Sequence, residues 1–463
     1  MPIAPTISTL NANSVGILNA IRDNASADYY NSVPAVNETT ESIRAAGQAI
    51  MAFQSRKNEF VNALINRIAK VVVTSKLYQN PLAFAKKGLL EYGESIEEIF
   101  VDLAAAEGYD WNTSTDEAKL AFQRKKPDIK SAFHALNMQT KYQVTITDQN
   151  LRQAFLSAQG VTDLIARIVN SIYSAANYDE YIMIKYLIAQ NMLAGNNKMV
   201  TIEAVEDEAT GKAAVKAVKA VKSHAGKFKF MRTDYNIAGV NNYTPSNDDI
   251  FVLMTTDYEA SIDVDVLASA FTMSKVEFMG HVVTVDSFSF NDGELARLAQ
   301  ILGNDPSYTP LDSGDLEALA TVGIVMFDRD YTQIYDVLNE FTEQYNAALL
   351  YWNEFLHVWK IYSISPFVSF VGFTTSTPSV TSVSVTVPST ANPEDRVQAI
   401  ATVSATDFAN KGVTWTISPT ANATIDSVTG VIVFGASASG AYTVTATSVF
   451  DSAKNGTGQI TVS

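Results

Sequence analysis

Val161-Thr-Asp-Leu-Ile-Ala-Arg-Ile-Val-Asn170 opens a stretch in which Val161, Ile165, Ile168, Ile172, Ala175, Ile182, Tyr186 and Leu193 recur every three to four residues. That period puts apolar side chains on one face of an α-helix. Thr162 or Asp163 can cap its start, and Gly195 followed by Asn196-Asn197 can end it. At 1.5 Å per residue the helix would be about 50 Å long, well beyond the usual three or four turns. Such an element is a structural beam and seldom belongs to a compact enzyme core.

Upstream of the beam, residues 80–142 carry opposite charges at their two ends. The first half holds Glu91, Glu94, Glu97, Glu98, Asp102, Glu107 and Asp110; the second closes with Arg124, Lys125, Lys126 and Lys130. A segment so patterned can fold on itself or lie across a neighbour, the plainer alternative being a solvated charged face. Ala52 to Val73 has a helical apolar pattern. Residues 1–45, rich in Asn, Ser, Thr and Ala with one apolar patch at Val15 to Ile21, read as an arm with one small helix.

Downstream, Lys212, Lys216, Lys219 and Lys222 fall at helical spacing on one face, with Lys227 and Lys229 beyond. The favoured reading is the solvated face of an amphipathic helix, with a nucleic-acid contact as the alternative. A second α/β region over about 235–362 holds short apolar strands at Ile250–Met254, His281–Val285 and Val322–Phe327, with a helix expected from Val264 to Met273. Trp352 and Trp359, with Tyr351 and Phe355, read as an aromatic helical face used in packing. Ser363 to Val371 reads as a strand returning to the body.

At Phe373 the composition changes. Val380-Thr-Ser-Val-Ser-Val-Thr-Val387, Gly412-Val-Thr-Trp-Thr-Ile-Ser418 and Tyr442-Thr-Val-Thr-Ala-Thr447 alternate β-branched with small polar residues, the mark of half-buried antiparallel strands. Residues 374–463 are therefore expected to form a β-sandwich with Trp415 as the core anchor.

The 463 residues carry a formal charge of −16 and no cysteine. An acidic chain repels nucleic acid over most of its surface, and disulfides, thiol catalysis and thiolate metal sites are excluded. The N-terminus shows no secretory signal, and the apolar stretch from Ala347 to Phe373 is broken by Asn353, Glu354, His357 and Lys360, so no membrane span is expected. Gly211-Lys212 is not a phosphate loop, and the four histidines (His134, His224, His281 and His357) are scattered. Asp263-Val-Asp265 suits a helix start, and Asn291-Asp-Gly293 suits a turn. No catalytic, cofactor or metal site is expected.

Several stretches share one further property. Asn80-Pro-Leu82, Lys86-Lys-Gly88, Ile96-Glu-Glu-Ile99 with Asp102, Phe133-His134, Asp179-Glu-Tyr181, Ile262-Asp-Val-Asp-Val-Leu-Ala268, Tyr335-Asp336, Leu350-Tyr-Trp-Asn353 and His357-Val-Trp359 stand in an order that resembles the major head (capsid) proteins of small podophages of the Picovirinae type. The terminal module is similar to a bacterial Ig-like domain of group 2.

The resemblance implies an α+β Johnson fold. An N-terminal arm (1–50) would precede a body (51–372) with an extended loop over about 80–145, a spine helix over about 161–194 in the peripheral domain, and an axial domain over about 235–360. The strand at Ser363 to Val371 would rejoin the peripheral domain. The Ig-like sandwich would occupy 374–463. Implied function is self-assembly into an icosahedral or prolate head shell, without enzymatic activity. The sandwich would lie outside, in weak contact with host-surface carbohydrate or stabilising capsomers. Implied partners are copies of the chain in pentamers and hexamers, a scaffold protein, the portal and other head proteins, and double-stranded DNA enclosed without sequence-specific binding. The protein would be made in the host cytoplasm and reside in the virion capsid. On this reading Glu94, Glu97, Glu98, Asp102, Arg124, Lys125 and Lys126 make intersubunit contacts. The competing reading is a secreted adhesin or polysaccharide hydrolase with an accessory Ig-like domain.

Overall fold

A computed structural model describes the chain apart from residues 1–7, 38, 72–77, 91–94, 105, 107–126, 157–159, 206–211, 263–280 and 306–307. The chain divides into two units, each built from segments distant in sequence.

The first unit comprises Met1–Ser95, Ala135–Met183 and Ile334–Tyr362. Its four-stranded sheet runs in the order Lys86–Leu89, Thr332–Asn346, Tyr351–Ile364, Met138–Thr147. The first pair is parallel and the last antiparallel, with Tyr351 opposite Thr147 and Lys360 opposite Met138. Tyr351–Ile364 is thus a strand, where an aromatic helical face was expected. Trp352, Glu354, Leu356, Val358 and Lys360 all point inward at a period of two. Two charged residues on the buried face hid that alternation.

Residues read as a loose arm form three helices, Ser8–Asn24, Ala27–Ser32 and Thr40–Met51, followed by Gln54–Val71. Polar residues that suggested disorder act as caps: Ser26 accepts from Tyr29 N and Thr39 from Ser42 N. Leu18, Ile21, Ile43, Phe60 and Leu64 share a core with Ile168 and Ile172 of the long helix and with Trp352 and Leu356 of the sheet. The long helix itself spans Gly160–Leu193, as its periodicity predicted.

The second unit comprises Ile96–His134, Ile184–Gln333 and Ser363–Ser463. Its five-stranded sheet runs Lys198–Thr201, Phe370–Thr374, Val322–Asp328, Ile250–Thr255, His281–Val285. The three middle strands are buried along their whole length, which explains their unbroken apolar sequences. Helix Lys212–Phe228 lays Ala217, Val221 and Phe228 against Tyr235, Val252, Val371 and Phe373. Where a returning strand was expected at Ser363 to Val371, the strand runs Phe370–Thr374 and belongs to this sheet, paired with Lys198–Thr201 and Val322–Asp328. The helix expected at Val264 to Met273 lies outside the described residues.

Residues 379–462 form an all-β module. Ser379–Thr386 pairs with Ile400–Thr406; Thr390–Ala391, Asn455–Val462, Gly440–Ser448 and Val413–Ser418 make a second sheet; Arg396–Gln398, Val431–Phe434 and Ala423–Ile425 make a third. Val383, Trp415, Ile432, Tyr442, Val444 and Ile460 fill its core. Gly430, at φ +73°, lies so close to Trp415 that a Cβ there would stand 2.7 Å from the indole. The module rests on the turn after the long helix. Gly195, at φ +71°, has the Ala409 carbonyl 2.6 Å from where its Cβ would be.

Candidate assembly surface

Strands Ser95–Val101 and Ile129–Ala135 form a two-stranded ribbon in the second unit. Its two faces differ sharply in chemistry. Along one face, His134 is hydrogen-bonded through Nε2 to Glu98 (3.2 Å) and through Nδ1 to Ser363 Oγ (2.8 Å). Ser365 Oγ donates to Glu98 (2.8 Å), and Phe100 stacks on Phe367 with ring centroids 5.6 Å apart. Lys130 Nζ donates to the Ala238 carbonyl (3.2 Å), and Asn241 Nδ2 donates to Asp102 (3.2 Å). The Leu103 backbone N–H, with Asn241, holds the Asp102 carboxyl below the usual carboxylate range. This face fastens the ribbon to its own subunit.

Among the described residues, the opposite face has no such cover. Ile99, Val101, Ile129 and Phe133 are 59, 55, 57 and 68% exposed, and Glu97 and Ser131 lie on the same side. Leaving large apolar side chains in water forfeits about 1.5–3 kcal/mol each relative to full burial. Single exposed apolar residues are ordinary; a run of them on one ribbon face marks an interaction surface.

In the first unit, a buried ion cluster holds the segment that leads into the ribbon. Lys86 contacts Glu180 (3.1 Å) and Asp336 (2.8 Å), and Lys360 contacts Asp336 (3.1 Å) and also pairs with Glu180. Asn80 Nδ2 donates to Glu180 at 2.8 Å. Burial works against both carboxylates, but Lys360 and Lys86 hold them below their usual range. Two cations facing two anions, with the amide as a further donor, meet the condition for a tolerated buried charge cluster. The cluster ties Lys86–Leu89 to the long helix and to both long strands.

Of the charged residues singled out in the sequence, Glu97 lies on the exposed face, whereas Glu98 and Asp102 are bonded within the subunit. Glu94, Arg124, Lys125 and Lys126 lie outside the described residues. Trp415 is buried in the module core, as anticipated. The sequence reading missed Ile99, Val101, Ile129 and Phe133; Ile96-Glu-Glu-Ile-Phe-Val101 does not alternate in hydropathy, so no period of two pointed to them. Among the described residues, no group of three or more His, Asp or Glu could hold a metal ion, and no helix is long and apolar enough to cross a membrane.

Comparison with known proteins gives a consistent result. The chain is 33% identical over 440 residues to the major capsid protein of Bacillus phage B103, covering 94% of this chain and 90% of that one. It is 31% identical over 409 residues to the major capsid protein of Bacillus phage PZA, covering 87% and 83%. Among solved structures, the capsid of Staphylococcus phage Andhra is similar at a TM-score of 0.48 and 14% identity, over 66% of this chain and 86% of that one. The family model for Phi29-like phage major capsid proteins matches residues 18–374. The chain belongs to the Phi29-like phage major capsid protein family and is a structural subunit of the virion shell.

Proposed function

We propose that the ribbon within the expected extended loop of about 80–145 is laid over an adjacent copy, with the Ile99–Val101–Ile129–Phe133 face as its sticky side, while Lys86–Leu89 and Met138–Thr147 root the loop in its own subunit's sheet. The observation that carries this reading is the exposure of those four side chains on a ribbon whose other face is pinned down. A contact of this kind is heterologous, and repeated by rotation it closes into the rings of pentamers and hexamers. Glu97, at the edge of the same face, steers the register, together with Glu94 and the basic Arg124, Lys125 and Lys126 of the same loop. The mixed helix-and-sheet body fits the Johnson fold, with the Gly160–Leu193 helix as its spine. Scaffold, portal and other head proteins are its further partners, and its role is structural and not enzymatic.

The C-terminal module is read as an Ig-like domain on the shell exterior. Its strand pattern and its buried Trp415 support that assignment. Capsomer stabilisation is the preferred role over weak adhesion to host-surface carbohydrate. Phe408, Trp415, Phe434 and Tyr442 are buried, which leaves Phe450 as the module's exposed ring for stacking on sugars.

The test replaces the sticky face. The double variant Ile99→Asp/Phe133→Asp should fold with unchanged circular dichroism yet sediment as free subunits under conditions where the unaltered protein forms shells. Shells of normal yield from the double variant would overturn the loop reading.

A further inference from the structure

Between Lys212 and Arg232 the sequence holds seven basic residues, Lys212, Lys216, Lys219, Lys222, Lys227, Lys229 and Arg232, and no acidic one. Within the helix, Lys216, Lys219, Lys222 and Lys227 lie on the side opposite its buried face. Ala213, Ala214, Ala217, Val218, Val221, Ala225 and Phe228 of the helix are buried. Lys216, Lys219 and Lys229 are exposed, with Lys222, Lys227 and Arg232 half-buried beside them. Two neighbouring carboxylates are already engaged: Glu203 with Lys216 at 2.6 Å, and Asp234 with Arg232 at 2.7 Å as well as with Lys198. His224 sits among these cations; burial first, then Lys227 and Lys198, bring its pKa down to about 4.

A solvated helix face normally mixes signs, because like charges three or four residues apart destabilise a helix by about 0.2–0.5 kcal/mol per pair. Here Lys216, Lys219 and Lys222 repeat at that spacing, on a chain with a formal charge of −16. A dense external anion removes the repulsion.

We propose that the solvent face of helix Lys212–Phe228, continued by Lys229 and Arg232, is a contact surface for the phosphate backbone of double-stranded DNA. The proposal rests on the reading of this chain as a shell subunit enclosing a genome. The exposed face from Lys216 to Lys229 is about 20 Å long at 1.5 Å per residue, and duplex DNA carries one charge per about 1.7 Å of axis, so several phosphates lie within reach. Lysine is a flexible, strongly hydrated point charge, suited to phosphate rather than to bidentate reading of bases. The helix carries no Arg, Asn or Gln to fork onto a base edge, and its flexible lysine ammoniums follow the phosphate backbone, so the contact is independent of sequence. A few lysines per subunit give a weak contact that salt dissolves, which lets packaged DNA slide.

The test uses the full-length, unassembled subunit and a short duplex of random sequence, with binding followed by fluorescence anisotropy across a salt series. Lys219→Gln/Lys229→Gln should bind more weakly than the unaltered chain. Its log–log salt slope should be shallower by about 1.8, at 0.9 per lost phosphate contact. A charge-matched control at exposed positions elsewhere, Lys141→Gln/Lys411→Gln, should keep the original slope. Equal slopes for the two double variants would overturn the proposal. So would a helix variant that no longer forms shells while its duplex binding is unchanged, because the face would then seat an acidic surface of another copy. Shell formation by the unaltered protein, scored separately by sedimentation, keeps a failure of this proposal apart from a failure of the shell reading.

Discussion

The ribbon at 95–101 and 129–135 and the module at 379–462 share an in-and-out alternation of exposure along their strands and use it in different ways. In the module, Val383, Trp415, Ile417, Tyr442, Val444 and Ile460 turn inward onto one another, and the polar partners of the alternation face water. The ribbon departs from this arrangement. Its inward face combines the Phe100–Phe367 stack with polar and charged groups, His134, Glu98, Ser363 and Ser365, and leaves Ile99, Val101, Ile129 and Phe133 looking outward. A module that closes its own core can be carried as a passenger. On the proposed reading, a ribbon that leaves Phe133 in water is half of a contact, to be completed by another copy.

The sharpest way to break the comparison is to open the closed core. Trp415→Ala removes a buried indole and should destabilise the module by about 3–5 kcal/mol. Limited proteolysis should then cut after residue 374 while the body stays intact. Loss of the body together with the module would mean that the two are one cooperative structure.

A smaller effect is expected at Glu354, a buried charge on the core face of the first unit. It is fully buried between Trp352 and Leu356, and neither carboxyl oxygen has a hydrogen-bond partner. Burial, reinforced by Glu343, pushes its pKa up to about 8. A folded-state pKa above the unfolded one means that the folded state holds the proton more tightly. The contribution of Glu354 to stability is therefore most favourable below the ordinary glutamate range, declines as pH rises towards 8, and levels off beyond. Glu354→Gln should flatten that slope in a series of melting curves and gain on the order of 3 kcal/mol at pH 8. A variant whose stability still falls over this range would place the titration elsewhere.

The smallest effect should come from the largest deletion. Ending the chain after Pro378 removes the whole module together with its contact at Gly195, and shells should still assemble at near-normal yield. Failure of this truncation to assemble would show that the module is part of the shell and not carried on it.

Much of this arrangement was legible in the sequence, for physical reasons that differ by region. The long helix announces itself because one face is apolar for its whole length, and the module because small and β-branched residues alternate without charges. Tyr351–Ile364 misled because Glu354 and Lys360 occupy inward positions, one unpartnered and the other in an ion cluster, so hydropathy alone could not show the period of two. The N-terminal helices were obscured by polar residues, of which Ser26 and Thr39 serve as caps. Charge in residues 80–142 drew attention to the right segment, but sequence cannot tell which face of a two-stranded ribbon its own subunit covers. Glu98 and Asp102 look like contact residues until His134, Ser365 and Asn241 are seen around them.

Because the chain has no cysteine, a single introduced thiol reports directly on whether the ribbon's apolar face becomes covered. Phe133→Cys should react rapidly with a maleimide in free subunits and be protected in assembled shells, whereas Val428→Cys on the exposed rim of the module should react equally in both. Equal reactivity of the residue 133 thiol before and after assembly would contradict the account at its centre.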